Sequence, residues 1–167
     1  MEAELNNKSD NEIQLKKDDI LRLKIRDAEG NDTGNVLEFD LTDLELPLRL
    51  QEMGEQDKRN RLYLKNELQI IEKKQDHKGK KLLSSKQEAQ IKAVNEFMKK
   101  EVEMFNLFLG ENGVEKLLNG RKLSINAIEE ILQIIKEQIM PKIEIDFKGI
   151  NEKIMKKYSN KRDDVIE

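Results

Sequence analysis

The sequence predicts an α+β fold, in which a small N-terminal antiparallel β-hairpin accompanies a mainly α-helical bundle of three to four helices. Three observations predict it. Leu21, Leu23 and Ile25 alternate with Arg22, Lys24 and Arg26, and Leu37, Phe39 and Leu41 alternate with Glu38 and Asp40; a period of two belongs to strands with one wet face. Further along, apolar residues recur at steps of three and four, the period of amphipathic helices. Gly110, Gly113 and Gly120 then interrupt the helical pattern at short intervals, as helix stops do.

The chain has 167 residues, enough for one core, and divides into a flexible N-terminus (1–18), a single domain (19–145) and a basic, partly helical C-terminal tail (146–167). Within the domain, DAEGNDTGN joins the two strands of a hairpin at 19–41 with residues that accept tight-turn geometry. Thr42 or Asp43 can cap the first helix, and Pro47 suits a first helical turn. A helix at 48–74 carries Leu50, Met53, Leu62, Leu64, Leu68 and Ile71 as its apolar face, weakened by Gly54. The connector KKQDHKGKK comes next. Ser85 and Glu88 stand at capping-box spacing and open a helix at 85–109, whose stripe is Ile91, Val94, Met98, Val102, Phe105 and Leu109, widened by Phe97 and Phe108.

Gly110 ends that helix, Gly113 lies within the turn after it, and a short helix at 114–119 stops on Gly120 in a left-handed cap. Ser124 or Asn126 opens the last helix, 126–140, with Ile128, Ile131, Leu132, Ile135 and Ile139 on its buried face. Pro141 is expected to kink or end it, because a proline inside a helix removes a hydrogen bond and clashes with the preceding turn.

Composition narrows the function classes. Charged residues make up 39% of the chain, yet 31 basic and 34 acidic residues leave a net charge of −3; such mixing describes solvated helix faces rather than a nucleic-acid footprint. There is no cysteine, which excludes disulfides, thiolate metal sites and thiol nucleophiles. No apolar run is long enough for a membrane span. The single histidine, His77, lies in the polar connector without an orienting carboxylate, so neither catalytic residues nor a cofactor site are expected. Asp27, Glu29, Asn31 and Glu38 fall at calcium-loop positions, but Asp32 occupies the position that needs glycine, and a plain hairpin turn accounts for them better. No metal is expected.

Phe105, Phe108, Leu109 and Gly110, then Gly113, Val114, Lys116 and Leu117, then Asn119, Gly120 and Arg121, followed by the amphipathic stretch Ile125–Ile139, resemble the tail assembly chaperones of long-tailed phages of Gram-positive bacteria and of phage-tail-like particles. The hairpin followed by FDLTDLELP is similar to Gram-positive members. Leu109 stands where that pattern has an aromatic residue, and the tail after Pro141 has no counterpart in it. The resemblance implies a non-enzymatic protein of the bacterial host cytoplasm. It would coat and solubilise the tape measure protein and hand it to the tail tube protein, as a homo-oligomer or in many copies on one client, in a form without the frameshifted C-terminal extension. Amphipathicity points to Phe97, Val102, Phe105, Phe108, Leu109, Leu117, Leu118 and Ile128 as the client surface, with Gly110, Gly113 and Gly120 as structural turns. Two rival readings stand beside it. A DNA-associated phage regulator would use Lys73–Lys81 and Lys153–Arg162 on phosphates, and a structural tail or capsid component would assemble by itself.

Overall fold

In the computed structural model, which describes residues 19–159, β1 (Ile20–Arg26) and β2 (Asp32–Asp40) pair antiparallel, with Leu21 opposite Phe39 and Leu23 opposite Leu37. The expected flexible N-terminus and the end of the basic tail, 160–167, lie outside the described residues. Alternation buries Ile25, Leu37 and Phe39 and leaves Arg22 and Glu38 to pair across the wet face at 3.0 Å. The turn is held from within: the Asp27 carboxylate accepts the Glu29 and Asn31 N–H groups at 3.0 and 2.8 Å.

Four further elements form the helical body: α1 (Leu46–Glu72), α2 (Ser85–Leu109), α3 (Gly113–Leu118) and α4 (Ile125–Ile134). α1 begins two residues before the expected start, because Pro47 is accommodated in the first turn, where its missing N–H costs nothing. Neither Thr42 nor Asp43 is the N-cap; Glu45 is, while the Asp43 carboxylate accepts the Glu45 N–H and pairs with Arg49 at 2.6 Å. The capping box of α2 is Ser84 with Gln87, one residue ahead of the expected Ser85 and Glu88, and both reciprocal bonds are made. Ser124, rather than Asn126, caps α4 through the Ala127 N–H.

Gly110 and Gly120 have positive φ angles of 95° and 80°, the conformation that exempts glycine from steric cost. The cap of α3 itself is Asn119, also left-handed at φ 46°. Gly113 is not a turn but the first residue of α3, and its role is one of space. A Cβ there would stand 2.4 Å from Leu109 Cβ, so only glycine lets α3 fold back this closely on the end of α2.

Pro141 neither ends nor breaks the last helix. A π-helical segment, Ile135–Ile139, joins α4 directly to α5 (Met140–Tyr158), with Pro141 in the first turn of α5. Ile131, Ile135, Ile139 and Ile143 are all buried. In a plain α-helix four-residue steps drift by about 40° each, and the wider π turn offsets that drift, keeping the isoleucines on the core while freeing the carbonyls that Pro141 cannot satisfy. One cluster joins these residues to Phe105, Phe108, Val114, Leu46 and the hairpin's Leu37 and Phe39.

Candidate partner-binding surface

α1 and α2 lie antiparallel along a shared seam. Their inward positions follow alternating steps of four and three: Met53, Asp57, Asn60 and Leu64 on α1, and Phe97, Glu101, Met104 and Phe108 on α2. That is the spacing of knobs meeting holes between two helices. At the middle of the seam the knobs are polar.

Gln56 Nε2 donates to Asn60 Oδ1 at 2.9 Å, and Asn60 Nδ2 donates to Glu101 Oε1 at 2.8 Å. Glu101 is 0% exposed and lies within hydrogen-bonding reach of the Asp57 carboxyl. Asp57 in turn accepts from Arg61 Nε at 2.8 Å, and Arg61 Nη1 reaches Glu129 on α4, again at 2.8 Å. A polar chain therefore crosses three helices. Burial pushes the Glu101 carboxyl up to about 7; the Asn60 bond opposes this, the neighbouring Asp57 adds to it, and Arg61 offsets part of it. Glu101 Oε2 has no partner as an acceptor, and a proton on that oxygen, donated towards Asp57, satisfies both carboxyls at once.

On either side of this plug the seam opens. One cleft, of about 480 Å³, is lined by Met53, Gln56 and Asn60 from α1 and by Met104, Leu107 and Phe108 from α2, with Arg49, Glu52, Lys100 and Glu103 at its rim. Leu107 is 79% exposed there. The other, of about 780 Å³, is shallow and mainly apolar, with Leu64 and Leu68 from α1, Phe97 from α2 and Ile125 from α4, rimmed by Arg61, Lys65, Glu72 and Glu129. Lys100 stacks over the Tyr63 ring at 3.9 Å, and Arg61 lies 5.9 Å from the Phe97 ring.

The residues read as a client surface are mostly core. Phe105 and Ile128 are completely buried, and Leu109 is covered by α3. Phe108 packs on Phe39 with ring centroids 5.4 Å apart. Val102, Leu117 and Leu118 are half-buried against the same cluster. Phe97 and Phe108, taken as the edges of the α2 stripe, instead sit at its centre, facing α1, while Ile91, taken as central, is exposed. The shift has a physical cause: α2 packs against α1 on one side and against α3, α4 and β2 on the other, so its buried face is wider than a single stripe. Only Phe97 and Phe108 of the eight line a cleft.

Met53, Leu64, Leu68, Met104, Leu107 and Ile125 were not anticipated as cleft residues, nor were Asp57, Asn60 and Glu101 as buried groups. The signal was present in the four-three spacing, hidden because three of its positions are polar. On α1 Leu62, expected on the apolar face, points to solvent.

The Lys73–Lys81 connector is exposed and tied to the start of α2 at two residues. The Asp76 carboxylate accepts the Lys86 N–H at 3.1 Å and is held below the usual carboxylate range by that bond and by the Ser84 and Ser85 hydroxyls. The His77 carbonyl accepts the Ser85 N–H at 2.8 Å, and the His77 N–H donates to Ser85 Oγ at 3.0 Å. Among the described residues no group of three or more His, Asp or Glu is placed to hold a metal ion, and no helix is long and apolar enough to cross a membrane. The chain matches no protein-family model, no curated protein and no solved structure.

Proposed function

We propose that the chain is a non-enzymatic phage tail assembly chaperone, acting in the host cytoplasm to hold the tape measure protein in solution until tail tube subunits enclose it. The observation that carries the reading is the shallow cleft of Leu64, Leu68, Phe97 and Ile125 with charged residues of both signs around it. An apolar floor with a mixed polar rim suits the apolar face of a helical client. Its shallowness keeps each contact weak, and many copies along one long client supply avidity that subunits can later strip away. The α2, glycine, α3, glycine, α4 corner supports the same reading through the resemblance in sequence.

Co-expression with a tape measure protein tests it. The wild-type chain should move the client from the pellet to the soluble fraction, and Leu68→Glu with Ile125→Glu, both cleft positions outside the α1–α2 seam, should abolish that while circular dichroism remains unchanged. A client that stays insoluble beside the wild-type chain, or stays soluble beside a folded double variant, sinks the proposal.

A further inference from the structure

The apolar stripe that α4 and α5 bury through Ile135, Ile139 and Ile143 does not stop at the body of the protein. It continues along the distal half of α5, residues 147–158, as Phe147, Ile150, Ile154 and Tyr158, with Met155 on its flank. The spacing of three, four and four keeps these side chains on one face. Phe147 is 39% exposed, Met155 56% and Tyr158 62%. Along the rest of this segment run Lys148, Lys153, Lys156 and Lys157 against a single carboxylate, Glu152.

The cleft beside Met104 and Phe108 has the opposite character. Met53, Met104, Leu107 and Phe108 give it an apolar part beside Gln56 and Asn60, Arg49 at its rim is paired with Asp43 and Glu45, and Lys100 lies 3.9 Å over the Tyr63 ring. Glu52 and Glu103 make no ion pair among the described residues. Lengths agree as well: the cleft runs from Arg49 to Asn60 on α1, and twelve helical residues span about 18 Å, the same as residues 147–158.

We propose that the distal half of α5 of one copy docks in the α1–α2 cleft of a second copy, with Phe147, Ile150, Ile154 and Tyr158 on its floor and the lysines against Glu52 and Glu103. The contact is heterologous, so each docked copy offers a free cleft at one end and a free helix at the other, and the chain builds open strings or closed rings according to the rotation per step. The contact between copies, which the chaperone reading leaves open, is what this adds, and it does not depend on that reading, since no client takes part.

Sedimentation velocity of the full chain, from micromolar to submillimolar concentration, tests it. The mass should rise with concentration. The rise should be lost in Glu52→Lys with Glu103→Lys, and lost again in Lys153→Glu with Lys156→Glu and Lys157→Glu; all five positions are exposed, so both variants should keep the wild-type circular dichroism. An equimolar mixture of the two should associate again, because each reversed helix then meets a reversed cleft. A wild-type chain that is monomeric throughout overturns the proposal, whether α5 stays free or closes on its own cleft. So does either variant that associates alone, which would mean that α5 pairs with α5 or that another surface is used, and so does a mixture that fails to associate.

Discussion

Asn60 and Glu101, 41 residues apart in sequence, meet in the dry centre of the α1–α2 seam, with Asn60 Nδ2 donating to Glu101 Oε1 at 2.8 Å. The bond places a titratable group where a knob of leucine would serve packing better. Buried polar pairs of this kind cost stability relative to apolar ones, and where they have been dissected one use is to fix the register of two helices.

Glu101 makes stability depend on pH in a defined direction. Its folded-state value is raised to about 7 from an ordinary 4.5, so between those values the folded chain binds more protons than the unfolded one, and this group's contribution is lost as pH rises. Glu101→Gln keeps the acceptor for Asn60 and removes the titration. The variant should match the wild type near pH 4 and exceed it near pH 8, by on the order of 3 kcal/mol, in urea melts at the two pH values. Asp43, Asp76 and Glu130, held low by their partners, act in the opposite sense and are common to both proteins, so the difference isolates Glu101. A constant difference between the two proteins at all pH values would contradict it.

Gly113→Ala and Gly110→Ala should both destabilise, for different reasons. The added methyl at 113 meets Leu109 Cβ at 2.4 Å, whereas at 110 it meets nothing within 4 Å and suffers only the positive φ. Overpacking costs about 1–3 kcal/mol, and a side chain at the φ 95°, ψ 175° of Gly110, a region essentially reserved for glycine, also costs about 1–3 kcal/mol; a thermal melt of either variant that matches the wild type would contradict its assigned cause.

Ser84→Ala should cost about 1 kcal/mol, since it removes the acceptor for the Gln87 N–H. Glu88→Ala should change stability by only a few tenths, because Glu88 serves an exposed i,i+4 pair with Lys92. Equal losses would mean that the box lies one residue later.

Phe108→Ala should cost about 3–5 kcal/mol in chemical denaturation, because the ring is buried between Phe39 and the seam. A charge at this position should unfold the chain rather than detach a partner. Cleft variants at Leu68 and Ile125 are the ones that separate binding from folding.

The hairpin, the 85–109 helix and the glycine corner were legible in the sequence because local chemistry alone decides them: alternation, turn residues and helix stops. The exact caps were less so, since Ser84 and Ser85 are both followed three residues later by a residue able to complete a box. Continuity past Pro141 was not legible, because it depends on a π turn that only the packing of Ile135, Ile139 and Ile143 rewards. The seam was the largest omission. Asp57, Asn60 and Glu101 break the hydrophobic period at its centre, and a buried carboxyl looks like a surface residue until its partners are known. Composition could not place Phe97 and Phe108 either, as both lie on a helix buried from two sides.

The π segment also sets up a lever. α4, that segment and α5 make one uninterrupted helical rod from Ile125 to Tyr158, and the part beyond Met140 is about 28 Å long. A bend of about 10° at the π turn therefore swings Tyr158 by about 5 Å. Gaining or losing one residue of helical winding at Ile135–Ile139 would steer the far end of the rod, and it would turn Ile139 and Ile143 away from the core that now holds the rod in one direction.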